Sequence, residues 1–145
     1  MNIDQDKANE YMEVRKKFMR PRDINLNQPF EVTEVLFSDL HGDIFKFDAR
    51  QGRIELNIGS LNNRAHDYIV LMRLCIGKDK IHKNPDGQKI IGHHVHVYKE
   101  GFGDKIVYPA EDYGFEDSED FLKSIKKFLQ ICNIDDSKFI LQRRI

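Results

Sequence analysis

Four of the six histidines of this chain lie close together in the sequence, at His82, His93, His94 and His96. Successive side chains of a β-strand point to opposite faces of its sheet. A strand through this segment therefore places His94, His96 and Tyr98 on one face. Val95 and Val97 lie on the other face, and their apolar side chains predict that it packs inward. We expect the His94/His96/Tyr98 face to meet solvent, a pocket or a partner.

Metal coordination is the first chemistry that this pattern suggests. The Cα atoms of His94 and His96 are about 7 Å apart on a strand, so both imidazoles can bind one ion. With Glu100, the spacing His94-x-His96-x-x-x-Glu100 overlaps the first metal motif of cupins. Cupins need a second motif with another histidine, and no histidine follows His96. A site of this kind, with zinc as its expected ion, therefore needs His82 or His41 as a third ligand.

Acid–base chemistry without a metal or any other cofactor is the second interpretation. Histidine titrates near neutral pH, so paired histidines can move protons and stabilise a phosphorane-like state. His94 and His96 would act as general acid and base. His82 would be a further proton carrier, and Tyr98 would orient the phosphate. The basic residues that would bind the phosphate are Arg73, Lys80, Lys83 and Lys105. The predicted activity is that of a small metal-independent endoribonuclease, with RNA as its partner, acting in toxin–antitoxin or phage–host conflict.

A structural or protein-binding role is the third interpretation. The loop at 77–92 contains a sharp turn at Asn84-Pro85-Asp86-Gly87, and it can fold back over the histidine face. Face and loop would then contact a cognate or host protein without turnover. An active centre predicts that His82 approaches His94 and His96 in an open pocket lined by cationic side chains. A locked loop predicts imidazoles that are buried or bonded to the backbone of residues 84–87.

The elements that position these residues follow from the pattern of the whole chain. Apolar residues at helical spacing before Pro21 predict an N-terminal helix within residues 1–20, over about 4–18. The clearest helix is predicted over 117–133, where Asp117 or Ser118 is the N-cap and one apolar stripe packs on a sheet. The prediction is a single α+β domain, 1–145, with a mostly antiparallel sheet of about six to seven strands across 30–110 and a last strand at 138–142.

Alternating apolar residues and turn signals predict the first strands of that sheet, at 30–37, 44–47 and 54–58. Gly59-Ser60-Leu61-Asn62-Asn63 is predicted to be a break in the sheet. The apolar run from Tyr68 to Ile76 is a long strand, expected at the centre of a sheet that is covered on both faces.

Composition and charge limit the function classes. The chain has 145 residues, 40% of them apolar and 32% charged, which is typical of one globular domain with a modest core. Lys and Arg number 23 and Asp and Glu 24, so bulk charge gives no reason to expect a nucleic acid or a membrane as partner. A polar N-terminus and the lack of a long apolar run predict a cytoplasmic protein with no membrane partner. Cys75 and Cys132 are predicted to be buried free thiols, and the oligomeric state is left open.

A longer pattern includes the histidines. It comprises His82-Lys83-Asn84-Pro85-Asp86-Gly87, His94-Val95-His96-Val97-Tyr98-Lys99-Glu100-Gly101, Asp104-Lys105 and Tyr108-Pro109. Over residues 68–109 it resembles a family of small bacterial and prophage proteins of unknown function. The resemblance implies no activity. It implies either a functional loop–strand unit or a loop held by its own hydrogen bonds, with structuring roles for Asn84, Asp86, Gly87, Glu100 and Asp104.

Overall fold

Short strands make up most of the regular structure in the computed structural model, which describes residues 2–38, 42–53, 58–116 and 120–142. The helices are α1 (Gln5–Glu13), α2 (Phe121–Ile131) and a short 3-10 helix at Ala110–Tyr113. The strands are β1 (Lys16–Phe18), β2 (Arg22–Asn25), β3 (Phe30–Ser38), β4 (Ile44–Gln51), β5 (Gly59–Ala65), β6 (Ile69–Ile76), β7 (Ile81–Lys83), β8 (Lys89–Ile91), β9 (His94–Val97), β10 (Val107–Pro109), β11 (Ile134–Asp135) and β12 (Phe139–Gln142).

Eight of these strands form one sheet, in the order β10-β9-β6-β5-β4-β3-β1-β11. Its neighbours pair antiparallel, except that β1 and β11 are parallel. Two further pairs are separate from it: β12 lies parallel to β2, and β7 and β8 form an antiparallel hairpin. A large, mostly antiparallel sheet with an N-terminal and a C-terminal helix confirms the predicted α+β class.

The C-terminal helix α2 packs its apolar stripe against the sheet. Ile125, Phe128 and Leu129 are buried, and the Phe128 ring lies 6.0 Å from the ring of Phe47 on β4. The helix begins at Phe121 rather than 117, and its N-cap is Asp120, whose carboxylate accepts a hydrogen bond from the Lys123 backbone N–H. The predicted caps Asp117 and Ser118 lie outside the described residues.

The predicted N-terminal helix is too long. Helix α1 ends at Glu13, Val14 is extended, and residues 16–18 form strand β1 between β3 and β11. The reason is tertiary: the Lys16 side chain is buried, and its Nζ donates hydrogen bonds to the carbonyl oxygens of Met12, Val14 and Cys132. These carbonyls lie at or just beyond the C-terminal ends of α1 and α2, where helices leave acceptors without intrahelical partners.

The predicted break at 59–63 is also wrong, because these residues belong to strand β5. This strand pairs with β4 on one side and β6 on the other, and its side chains are alternately buried and half-buried. Asn63 is fully buried within it. Pairing on both edges and burial outweigh the low strand propensity of Gly and Asn. The predicted strand at 54–58 cannot be compared in the same way, since 54–57 lie outside the described residues.

The predicted loop at 77–92 contains the hairpin β7–β8, which we call the 77–92 hairpin. Its turn is the predicted one: the Gly87 N–H donates to the Asn84 carbonyl over 2.8 Å, and Gly87 has φ +94°, a left-handed conformation that favours glycine. Across the hairpin Ile81 pairs with Ile91 and His82 with Ile90. His82 is half-buried and Ile90 buried, whereas Ile81 and Ile91 are exposed. One face of the hairpin therefore covers the sheet.

None of the helices in the described ranges is long and apolar enough to cross a membrane.

Candidate metal-binding site

The site is built from the pairing of β6 with β9. Cys75 lies directly opposite His94, and Arg73 lies directly opposite His96. Residues directly opposite each other in an antiparallel pair share a face, so all four side chains lie on one face of the sheet. The other face carries Val95 and Leu74, which are part of the apolar core. The pairing register thus places a thiol beside two imidazoles.

The 77–92 hairpin lies over this face and is held by polar side chains. The Asn84 amide donates to the Val107 carbonyl and accepts from the Val107 N–H, both over 2.9 Å, so it pairs with β10 as a neighbouring strand would. His82 Nε2 lies 3.0 Å from the carbonyl oxygen of Lys105. The His82 ring centroid is 5.9 Å from that of His94 and 5.3 Å from that of His96, which are themselves 5.1 Å apart. We call His82, His94 and His96 the histidine cluster.

Backbone carbonyls determine which nitrogen of each ring carries a proton. Nδ1 of His94 lies 2.9 Å from the Gly92 oxygen, and Nδ1 of His96 lies 2.8 Å from the Asp104 oxygen. A carbonyl oxygen only accepts, so each of these nitrogens must be the donor. In a neutral ring the other nitrogen, Nε2, then carries the lone pair, which in His96 faces Nη2 of Arg73 at 3.5 Å. This is the arrangement that metal-binding histidines adopt, with one nitrogen toward the ion and the other donating to a backbone carbonyl.

Three ligand atoms come together at this point. The Cys75 sulfur and one ring nitrogen each of His94 and His96 all lie within 4.8 Å of one another. The sequence interpretation had His82 or His41 as third ligand and treated Cys75 only as a buried thiol. His41 lies outside the described residues. The His82 ring lies close to His94 and His96, but His82 does not belong to the group of three ligand atoms. The register of β6 against β9 is the signal that would have identified Cys75, and it is a long-range property.

Burial controls the charge of these groups. His94 and His96 are only 5% and 6% exposed. Burial lowers the pKa of His94 below its ordinary value and that of His96 to about 4, and it raises the pKa of the Cys75 thiol. Both imidazoles are therefore neutral at pH 7, and Cys75 is a thiol until a metal ion displaces its proton.

Arg73 places a cation beside the histidine cluster on the sheet face. Its Nη2 lies 3.5 Å from Nε2 of His96 and 3.6 Å from a carboxylate oxygen of Asp104. Its Nε is buried and has no hydrogen-bond partner within the described residues. If Nε2 of His96 binds another group, the Arg73 guanidinium can therefore still pair with the Asp104 carboxylate.

Of the expected surroundings of the His94/His96/Tyr98 face, open solvent is the one that the structure does not show, because the 77–92 hairpin covers the imidazoles and all three residues are buried. His82 does approach His94 and His96, as an active centre requires. His94 and His96 are also buried, which is one of the two arrangements that a locked loop predicts, although the carbonyls that bond the rings belong to Gly92, Asp104 and Lys105 and not to residues 84–87.

Tyr98 and Glu100 form hydrogen bonds with the N-terminal segment of the chain. The Tyr98 hydroxyl donates to the Ile3 carbonyl over 2.6 Å and accepts from the Ile3 N–H, and Glu100 accepts from the Gln5 N–H. These contacts connect the end of β9 to the start of α1. Tyr98 therefore points to a different partner from the histidines on its face.

The remaining predicted residues lie around the rim. Lys80 is half-buried, whereas Lys83 and Lys105 are exposed. The Asp86 carboxylate accepts from the Gln88 N–H within the turn. Asp104 contributes its carbonyl to His96 and its carboxylate to Arg73. Hydrogen bonds or backbone geometry thus support the predicted structuring roles of Asn84, Asp86, Gly87 and Asp104.

A model of the family of unknown function DUF6978 matches residues 3–134, and the chain belongs to this family. The match confirms the resemblance to a family of unknown function. No curated protein and no solved structure matches the chain.

Proposed function

We propose that this member of a family of unknown function binds a transition-metal ion, with zinc as the first candidate, through Cys75, His94 and His96. The observation that carries the proposal is the approach of one sulfur and two ring nitrogens to within 4.8 Å of one another on one sheet face. Thiolate and imidazole together are a donor set that zinc prefers.

The outer contacts of the two imidazoles support the same assignment. Both rings already donate Nδ1–H to backbone carbonyls, so neither has to change its tautomer to present Nε2 to an ion. Tetrahedral zinc with ligand distances of about 2.0–2.3 Å holds its ligand atoms about 3.3–3.7 Å apart. Ligand atoms within 4.8 Å of one another have to approach by about 1 Å to reach that spacing.

Metal content and affinity test the proposal. Purified protein, stripped with a chelator and reloaded, should retain one zinc per chain after desalting. Cobalt in its place should give a thiolate-to-cobalt charge-transfer absorption. Cys75→Ser should abolish that absorption and weaken zinc binding, whereas Cys132→Ala, which removes the other thiol from the core, should change neither. Stoichiometric zinc that survives both Cys75→Ser and His94→Ala would contradict the proposed ligands.

Metal-independent RNA cleavage and docking on a cognate or host protein, in toxin–antitoxin or phage–host conflict, remain predictions. An RNA phosphate would reach His94 or His96 only after the 77–92 hairpin moves, since the rings are almost fully covered. The metal-free sample assayed on RNA beside its His94→Ala/His96→Ala variant tests the ribonuclease. If the metal-free wild type cleaves RNA and the variant does not, the result would favour the ribonuclease over the metal site.

A further inference from the structure

We infer that His82 is the fourth ligand of the proposed metal ion and that the 77–92 hairpin thereby becomes a metal-dependent cover of the site. This inference rests on the proposed function. Three protein ligands leave one position of a tetrahedral zinc ion to be filled by water or a fourth side chain. His82 is the ligand-type side chain that the hairpin brings to the imidazole rings of His94 and His96.

Ring spacing is the first argument. Three imidazoles bound to one tetrahedral ion at about 2.1 Å have ring centroids about 5.2 Å apart. The observed separations are 5.1 Å between His94 and His96, 5.3 Å between His82 and His96, and 5.9 Å between His82 and His94. The ring centroids of the cluster therefore have nearly the spacing of a three-histidine coordination sphere, and His82 would complete it by bringing its nitrogen to the group of ligand atoms that now lie within 4.8 Å of one another.

The orientation of the His82 ring is the second argument. Its Nε2 must donate to the Lys105 carbonyl, which leaves Nδ1 with the lone pair in the neutral ring. All three rings of the histidine cluster thus follow one rule: one nitrogen donates to a backbone carbonyl and the other carries the lone pair. For His82 the atom with the lone pair is Nδ1, and for His94 and His96 it is Nε2.

The weak attachment of the hairpin is the third argument. Strands β7 and β8 pair with each other and not with the eight-stranded sheet in the described ranges. An isolated two-stranded hairpin is marginal in water, so its docking depends on side chains such as Asn84, His82 and Ile90. A metal–nitrogen bond from His82 would add directly to this docking, because β6 and β9 carry the other three ligands.

Arg73 is the group that binding has to displace. Its Nη2 lies beside Nε2 of His96, and Asp104 offers it a carboxylate at 3.6 Å. A guanidinium close to a divalent ion opposes binding by charge repulsion. Arg73→Met should therefore strengthen zinc binding, in the opposite direction to the ligand variants.

Zinc affinity measured by chelator competition tests the inference. We expect His82→Gln to weaken binding at least about tenfold while the stoichiometry stays at one. Glutamine keeps a side-chain N–H that can donate to the Lys105 carbonyl but is a poor zinc ligand, so the hairpin can still dock without the metal. The matched control is His66→Asn, which removes an exposed imidazole at a left-handed position, φ 51°, that asparagine tolerates. It should bind zinc like the wild type.

Two further readouts follow the hairpin itself. Zinc should slow tryptic cleavage after the exposed Lys83 and Lys89 in the wild type and in His66→Asn, but not in His82→Gln. In long-range ¹H–¹⁵N spectra of the zinc form, His82 should bind through Nδ1, and His94 and His96 through Nε2.

The outcomes separate the two proposals. Unchanged zinc affinity and unchanged protection in His82→Gln would overturn the role of His82 and leave the Cys75/His94/His96 site standing. A wild-type protein that binds no zinc would overturn both.

Discussion

Replacing Asn84 by alanine should detach the 77–92 hairpin from the sheet. Asn84 is 7% exposed, and its amide forms two hydrogen bonds of 2.9 Å with the backbone N–H and carbonyl of Val107, itself 1% exposed. Alanine keeps the backbone conformation of the turn but removes both side-chain partners. The Val107 N–H and carbonyl would then lack partners while they stay buried beneath the hairpin.

The magnitude follows from these two bonds. A typical intramolecular hydrogen bond contributes about 1 kcal/mol net, and a buried group left unsatisfied costs about 1–3 kcal/mol. Two buried groups left unsatisfied therefore predict a loss of about 2–6 kcal/mol if the hairpin stays docked. The chain can avoid part of this cost by undocking the hairpin, which lets water reach Val107. We therefore expect a loss near the lower limit, concentrated in local opening.

Native-state hydrogen exchange measures this opening directly, and urea unfolding gives the global value. The Val107 amide and the β7–β8 amides should exchange faster in Asn84→Ala, while the amides of β4 and β5 keep their protection relative to global unfolding. Asp86→Ala is the control on the same turn, because the Asp86 carboxylate accepts from the exposed Gln88 N–H. This substitution should lower the unfolding free energy by less than about 1 kcal/mol. A loss below about 0.5 kcal/mol, or a loss with no change in hairpin exchange, would refute the reasoning.

Three other substitutions have expected outcomes. Burial lowers the pKa of Lys16 from 10.5 to about 8, and the unfolded chain binds more protons between those values. The unfolding free energy should therefore rise by about 3 kcal/mol from pH 8 to 10.5 in the wild type relative to Lys16→Met, and parallel urea-unfolding profiles would contradict this. Tyr98→Phe should lose about 1–2 kcal/mol and expose the Ile3 amide to exchange, since its hydroxyl bonds both Ile3 backbone groups. Burial raises the pKa of Asp48, but hydrogen bonds from Arg64 and other neighbours outweigh it and lower the pKa overall. The stabilisation by Asp48 is thus present above the unfolded pKa and lost as pH falls through the lower folded value, so Asp48→Asn should flatten the acid side of the stability profile.

Local patterns predicted the strongly periodic elements well. The stripe of α2, the alternation of β3 and the apolar run of β6 each reflect a face that packs on the core, and that information is contained within a few neighbouring residues. Strand β5 was missed because its Gly and Asn residues have low strand propensity and are held by pairing on both sides. Strand β1 was missed because Lys16 reads as a surface residue, although three carbonyls satisfy its buried ammonium group.

The sequence by itself determined which residues attract attention: the alternation of His94 and His96 on one strand face, the turn at 84–87, and the family motif that contains both. Only the tertiary structure decided what surrounds them. Cys75 is 19 positions away from His94 in the chain (94 minus 75), and the antiparallel register of β6 against β9 makes them direct neighbours. The docking of the hairpin then buries the imidazoles and orients each ring through a backbone carbonyl. Register and docking depend on the free energy of the whole core and not on local spacing, which is why local spacing did not show that the hairpin covers the histidine face or that the Cys75 thiol lies beside two imidazoles.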